Sequence, residues 1–347
     1  MRASPSVVLW ALVGALVLAL TSAAGAAGSY DAADAAMKAR VRDDNLVGGV
    51  LFVARDGATL HRAAVGDTTA RTVMPIASAS KWLTSATLMT FVDQGKLRLD
   101  DPVASYLPAF DGAKADITVR QLLSHTTGLP PAGCEGDPST TLQRCVASIA
   151  AGGDPTSLPG TQFHYSGVGF AIAGRLVERL AGTSFERAFQ DRVAGPLGMT
   201  HTRFDGTRRP YSRNPSPAAS ATSTVDDYAR FLRMLAAGGT FDGKTVLTPS
   251  SVAEIERDQV RGLDTHGDGA VQITGIPTYG LGVWRDEVAA DDTIQVVSGS
   301  GALGFYPWID RVHGTYGIVA VDDELHGAEH AVPASQRIAR MLWQAAG

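Results

Sequence analysis

The sequence predicts an α/β (α+β) fold. An antiparallel sheet flanked by helices is built from both ends of the chain, with an all-helical region inserted between them. Two observations support this. Strand-like patterns occur at residues 47–65 and return only after residue 279. Between residues 100 and 262 the apolar spacing is helical and is broken by Pro/Gly loops. The expected division is residues 1–27 as a leader, 28–99 with 263–347 as the sheet region, and 100–262 as the helical insertion.

Taken in order, Arg2 gives a short positive start, Val7 through Leu20 an apolar run, and residues 21–27 small-residue cleavage sites after Ala24 or Ala27. A secretory leader fits better than an uncleaved anchor, because the apolar run falls short of the ~20 residues that span a bilayer. The expected localisation is secreted or periplasmic, with no stable membrane span after cleavage. Residues 31–42 have strong helix propensity. Val47 to Ala54 and Ala58 to Val65 read as a hairpin around Asp56-Gly57. Residues 69–76 then lead to a helix that starts near residue 78, with Ser78 or Ser80 as N-cap, and ends at Gly95. Its residues Trp82, Leu83, Ala86, Leu88, Met89 and Val92 are too apolar for a surface helix, so it is expected to be buried.

Further helices are expected at 119–124, 168–181, 185–193, 223–237 and 249–257, with loops at 128–159 and 206–220. Strands are expected at 279–284, 294–298, 304–310 and 316–322, and a final helix at 334–346. The balance of 30 basic and 35 acidic residues, with no basic block, argues against a nucleic-acid partner. Cys134 and Cys145 are the only cysteines, and in an exported chain they are expected to form a disulfide.

Ser78 and Lys81 are three residues apart at a helix start, so their side chains share one face of the first turn. A lysine that is poorly hydrated there gives up its proton more readily and can accept the serine proton. Free backbone N–H groups at the same place can hold a developing oxyanion. There is no Gly-x-Ser-x-Gly elbow, and the lone His125 has no triad partner in view, so it reads as a loop-stabilising residue. The acidic turn 264–268 lacks the spacing of a calcium loop.

The stretch from Ile76 to Lys81, the run Asp93-Gln94-Gly95-Lys96-Leu97, and Leu122-Leu123-Ser124-His125-Thr126-Thr127-Gly128-Leu129 together resemble the family of class C β-lactamases, penicillin-binding proteins and related esterases. The resemblance spans roughly residues 46 to 345. It implies a β-lactamase/transpeptidase-like fold with the site in the cleft between sheet and helices. Tyr165, within Pro159-Gly160…Tyr165-Ser166-Gly167, matches the family's tyrosine, whose phenol relays the proton between nucleophile and leaving group. Gly167 stands where the family often has an asparagine, which removes an amide that would contact Lys81 and the substrate in the cleft. The third motif falls at Val297–Phe305. Anchored on Gly304-Phe305, Ser298 replaces the family's Lys or His, and Ser300 its glycine; a one-residue bulge would instead place Ser298-Gly299 on the Thr-Gly pair. Either way the cation is missing. A backbone N–H of Ser300 or Gly301 is expected to complete the oxyanion hole with that of Ser78. Arg208, Arg209 and Arg213 are candidates to restore positive charge from their loop.

The resulting expectation is a secreted serine hydrolase that acts through an acyl-enzyme, needs no metal or cofactor, and favours ester or amide cleavage of a small substrate over strong β-lactamase activity. The alternative is a catalytically weak or inactive penicillin-binding-like protein that holds a cell-wall peptide or another small ligand.

Overall fold

A computed structural model describes residues 30–204 and 213–347. The leader reading for residues 1–27, and Arg208 and Arg209, lie outside the described residues. The chain runs α1 (Asp31–Asp43), β1 (Gly48–Arg55), β2 (Ala58–Gly66), β3 (Met74–Pro75), a 3-10 turn Ala77–Ala79 and α2 (Ser80–Asp93). The helical middle follows as α3 (Val119–Leu123), α4 (Leu142–Ala151), α5 (Val168–Ala181), α6 (Phe185–Phe189), α7 (Gly195–Leu197), β4 (Thr222–Ser223) and α8 (Val225–Ala236). A small ribbon, β5 (Thr240–Phe241) with β6 (Lys244–Thr245), precedes α9 (Pro249–Glu256) and α10 (Gly269–Thr274). The last part is β7 (Trp284–Val288), β8 (Ile294–Ser298), β9 (Tyr306–Asp310), β10 (Thr315–Val321) and α11 (Ala328–Ala346).

The main sheet has six antiparallel strands in the order β2-β1-β10-β9-β8-β7. Its first and last sections therefore meet in the middle: β1 lies beside β10, from Gly49 opposite Val321 to Arg55 opposite Thr315. Side chains alternate across a strand, and both faces of β1 are used. Leu51 and Val53, with Val319 and Val321 of β10, pack on Met37 of α1 and on Ile338, Leu342 and Trp343 of α11. Val50, Phe52 and Ala54, with Ile318 and Ala320, face the larger core that holds Trp82 of α2 and Phe231 of α8. A sheet covered on both sides needs near-continuous apolar strands, and β1 and β10 supply them, whereas the edge strand β2 is largely exposed. Helix α2 runs through the centre, buried at every residue from Ser80 to Phe91.

Four local readings change. No side chain caps α2: Ser78 sits in the 3-10 turn, and the Ser80 hydroxyl instead accepts the Ala221 N–H at 3.1 Å. Residues 279–284 are not a strand; Tyr279 forms a single bridge to Trp284, where β7 begins. Gly280 lies where an added Cβ would come within 2.1 Å of the Ile255 carbonyl, so helix α9 crowds out an extended run there. Helix α11 starts at Ala328, six residues before the expected 334, because it accommodates Pro333, a residue that in sequence signals a boundary. Helices α4 and α10 were not expected; each opens on a polar N-cap, Thr141 or Asp268, whose side chain accepts a first-turn N–H.

Candidate active site

Ser78 is held in its turn by a segment from the helical middle. β3 pairs with β4, the Ile76 N–H donates to the Ala221 carbonyl at 3.0 Å, and the Tyr228 hydroxyl donates to the Ala79 carbonyl at 2.9 Å. These bonds keep Ala77, next to Ser78, at φ 44°. The left-handed region costs an alanine ~1–2 kcal/mol, so the surrounding contacts must offset strain at this spot.

Lys81, one turn further on, is 3% exposed. Its Nζ donates to the Ser78 Oγ at 3.1 Å and to the Ala218 carbonyl at 3.1 Å. It also lies 4.5 Å from the centre of the Tyr165 ring and 5.6 Å from that of Phe170. Among the described residues no carboxylate is within ion-pair distance of it. The amine is thus held by a hydroxyl, a carbonyl and two ring faces rather than by a counter-charge.

Tyr165 meets Lys81 through its ring, whereas the sequence placed the phenol there. The ring stacks on Trp284 with centres 5.4 Å apart, and its backbone N–H donates to Asp268 Oδ2 at 2.9 Å. The Tyr165 and Tyr279 rings meet edge to face with centres 6.0 Å apart. Behind both stands His125, its backbone at φ 59°. Its Nδ1 accepts the Ser166 N–H at 3.2 Å, so the ring proton is on Nε2, which faces the Tyr279 hydroxyl at 3.3 Å. Burial, and then the charge of Lys81, hold His125 well below the usual imidazole range, so it stays neutral. Burial, and then the neighbouring Tyr165, push Tyr279 well above the usual phenol range. Tyr279 therefore keeps its proton. His125 also fastens its loop, as expected, by accepting the His164 N–H on its carbonyl at 2.8 Å.

The strand after β8 supplies less than the sequence suggested. Ser300 lines a cavity together with Ser78, but Ser298 does not. The Ser298 hydroxyl donates to Asp286 at 2.5 Å, and Tyr306 bonds the other oxygen of the same carboxyl at 2.5 Å. The Gly301 N–H is taken by the Phe305 carbonyl at 2.8 Å, which leaves the Ser300 N–H as the available donor beside Ser78. Gly301 serves instead to let the strand approach, since a Cβ there would lie 2.3 Å from the Ile76 carbonyl.

Gly167 starts α5 beside Lys81's second partner. A Cβ on it would lie 3.7 Å from Ala218 and 3.7 Å from Glu135. Glu135 is placed there by the Cys134–Cys145 disulfide, which is formed with Cα atoms 5.5 Å apart. The cavity itself has a volume of about 400 Å³. Its walls include Tyr165, Ile273, Trp284, Ala302 and Val332, and among the described residues no lysine or arginine. Arg213 lies elsewhere, beside Thr140 and Arg144, so it does not bring positive charge to this cavity.

A family profile described as Beta-lactamase matches residues 33–337 of the chain. The chain belongs to the beta-lactamase family. Membership makes it a serine hydrolase that works on small esters or amides through an acyl-enzyme. Penicillin-binding protein 4 of Amycolatopsis lactamdurans is 32% identical over 313 residues, which cover 75% of this chain and 80% of that protein. Esterase EstB of Burkholderia gladioli is 32% identical over 200 residues, 49% of this chain and 50% of that one. A solved chain from Bacteroides dorei is 32% identical with a TM-score of 0.81, covering 90% of this chain and 98% of its own.

Within this member of the beta-lactamase family, sequence reasoning missed Tyr279, Trp284, Asp286 and Glu135. The aromatic and glycine residues at 279–284 were visible as a cluster, but a strand pattern absorbed them. Asp286 and Glu135 had no motif to single them out.

Proposed function

We propose that Ser78 is the nucleophile of an esterase that prefers small, uncharged, apolar acyl groups. The 3.1 Å approach of Lys81 Nζ to Ser78 Oγ, beside a cavity whose described lining holds no lysine or arginine, carries this reading. Lys81 acts as the base that takes the serine proton while the Oγ–carbon bond forms. The oxyanion is held by the backbone N–H groups of Ser78 and Ser300. Lys81 returns the proton to the leaving alcohol, and water then attacks the acyl-enzyme with Lys81 again taking the proton, while the Tyr165 ring packs over the amine.

Carboxylate-bearing substrates such as β-lactams find no lysine or arginine among the described residues that line the cavity, and the turned-away Ser298 and nearby Glu135 support the preference for esters. The likeness to Esterase EstB supports the same choice. The test is a substrate panel. The account expects p-nitrophenyl acetate and butyrate to be cleaved with kcat/KM at least ~100-fold above that for a cephalosporin carrying its carboxylate. Faster turnover of the cephalosporin would overturn it. We also propose that residues 1–27 are an export leader. N-terminal sequencing of the secreted protein should begin at residue 25 or 28.

A further inference from the structure

On the far side of α11 from the ester cavity lies a second cluster of chemistry-bearing side chains. We propose that Asp323, His326 and His330, spaced Asp-x-x-His-x-x-x-His, bind a zinc ion there. The three side chains place one ligand atom each within 4.8 Å of one another. Tetrahedral zinc at bonds of about 2.0–2.2 Å sets neighbouring ligand atoms roughly 3.3–3.5 Å apart, so rotamer adjustment of the two exposed histidines closes the site. Their rings already face each other with centres 5.1 Å apart.

Two further features make this more than a chance grouping. Two of the ligand groups already meet, with His326 Nδ1 2.7 Å from Asp323 Oδ1, and the other imidazole is oriented by a carboxylate outside the triad, His330 Nε2 by Asp44 Oδ2 at 2.9 Å. Carboxylates in such positions fix the ring and raise the basicity of the nitrogen that meets the metal. The Asp323 side chain is fully buried, and its Oδ2 has no hydrogen-bond donor. Its only charged neighbour on that side is the Arg40 guanidinium at 3.6 Å, which also lies 3.6 Å from Asp44. Arg40 is tied back to the Ser335 hydroxyl and the Ala331 carbonyl, at 2.6 and 3.2 Å. Two carboxylates, Asp323 and Asp44, face one guanidinium, Arg40, and that excess of negative charge favours a cation.

Two histidines and a carboxylate, with one position left to water, suit zinc better than magnesium or calcium, which take all-oxygen shells. The ion would clip the turn after β10 to the first turn of α11, with the end of α1 joined to it through the Asp44 contact to His330. Ala328 and Val332, on the opposite side of α11 from His330, form part of the ester cavity wall, so the clip would also steady that wall.

The test is titration of the metal-stripped full-length chain with zinc chloride in millimolar magnesium, followed by calorimetry. The expected result is one zinc per chain at roughly micromolar affinity or tighter. Replacing one ligand, as His326→Gln or His330→Gln, should weaken binding at least ~10-fold, and Asp44→Asn about 10-fold through loss of the orienting carboxylate. Zinc should raise the unfolding midpoint of the wild type and not of His330→Gln. Because both histidines are exposed, the variants' midpoints without zinc should match the wild type, which separates lost binding from lost folding. No saturable zinc binding would overturn the proposal, and so would unchanged affinity in both histidine variants. Ester hydrolysis without zinc plays no part in the outcome, so failure here leaves the reading of Ser78 standing.

Discussion

Lys81 has no counter-ion among the described residues, and that sets what substitution there should do. An arginine keeps the charge but cannot give up its proton at working pH. Lys81→Arg should therefore lower kcat for p-nitrophenyl butyrate by ~10²–10⁴-fold, the range expected for loss of a general base, with KM little changed. An equal loss through KM alone would mean that Lys81 only positions substrate. Tyr279 acts one step back. Its hydroxyl meets His125 Nε2 at 3.3 Å and its ring packs edge-on against Tyr165, and Tyr279→Phe should cost about 10-fold in kcat at constant KM while the fold keeps its stability within ~1 kcal/mol. Kinetics paired with a denaturant melt would check both parts. Ser78 and Lys81 were legible in the sequence because three-residue spacing at a helix start fixes their proximity. Tyr165 was legible through its motif, but the direction of its phenol was not. That direction depends on Tyr279, which is 154 residues from His125, and such a separation leaves no periodic trace.

In the β7–β8 hairpin, Asp286 is the member under strain. Burial pushes its carboxyl up to about 6, although hydrogen bonds from Ser298 and Tyr306 pull it back toward the ordinary aspartate value. The folded state thus holds this proton more tightly than the unfolded chain does. Asp286 costs stability above pH ~6, and the cost fades as pH falls from about 6 to about 4. Asp286→Asn should be more stable than wild type by ~2 kcal/mol at pH 8, with the difference gone near pH 4. Urea melts at the two pH values decide this, and a gap that widens in acid would contradict it. In the loop 128–159, the Cys134–Cys145 link closes a short loop, and its removal by Cys134→Ser with Cys145→Ser should cost ~2–3 kcal/mol by chain entropy. The same melts on the double variant check it. The cysteine pairing was predictable because only one pair exists. The place of Ser298 was not, because its partner Asp286 lies across a hairpin with irregular register.

The molecule as a whole follows from one pairing, β1 beside β10. A sheet that needs both ends of the chain cannot form by halves, and α2, wholly inside, joins it to the helical middle. Strand patterns confined to the two ends made this architecture readable in advance. The boundaries that were misread, at Tyr279 and at the start of α11, are places where a tertiary neighbour or an internal proline overrides local pattern. Since α11 covers Leu51, Val53, Val319 and Val321, a chain ending at residue 327 should lose solubility and near-ultraviolet dichroism. The central claim is that Ser78, at the mouth of an ester cavity, is an activated nucleophile. Intact mass after exposure to a fluorophosphonate, for wild type and Ser78→Ala, tests it most directly. The account predicts a single adduct on the wild type that is absent from the variant. An adduct that persists in Ser78→Ala, or none on well-folded wild type, would contradict it.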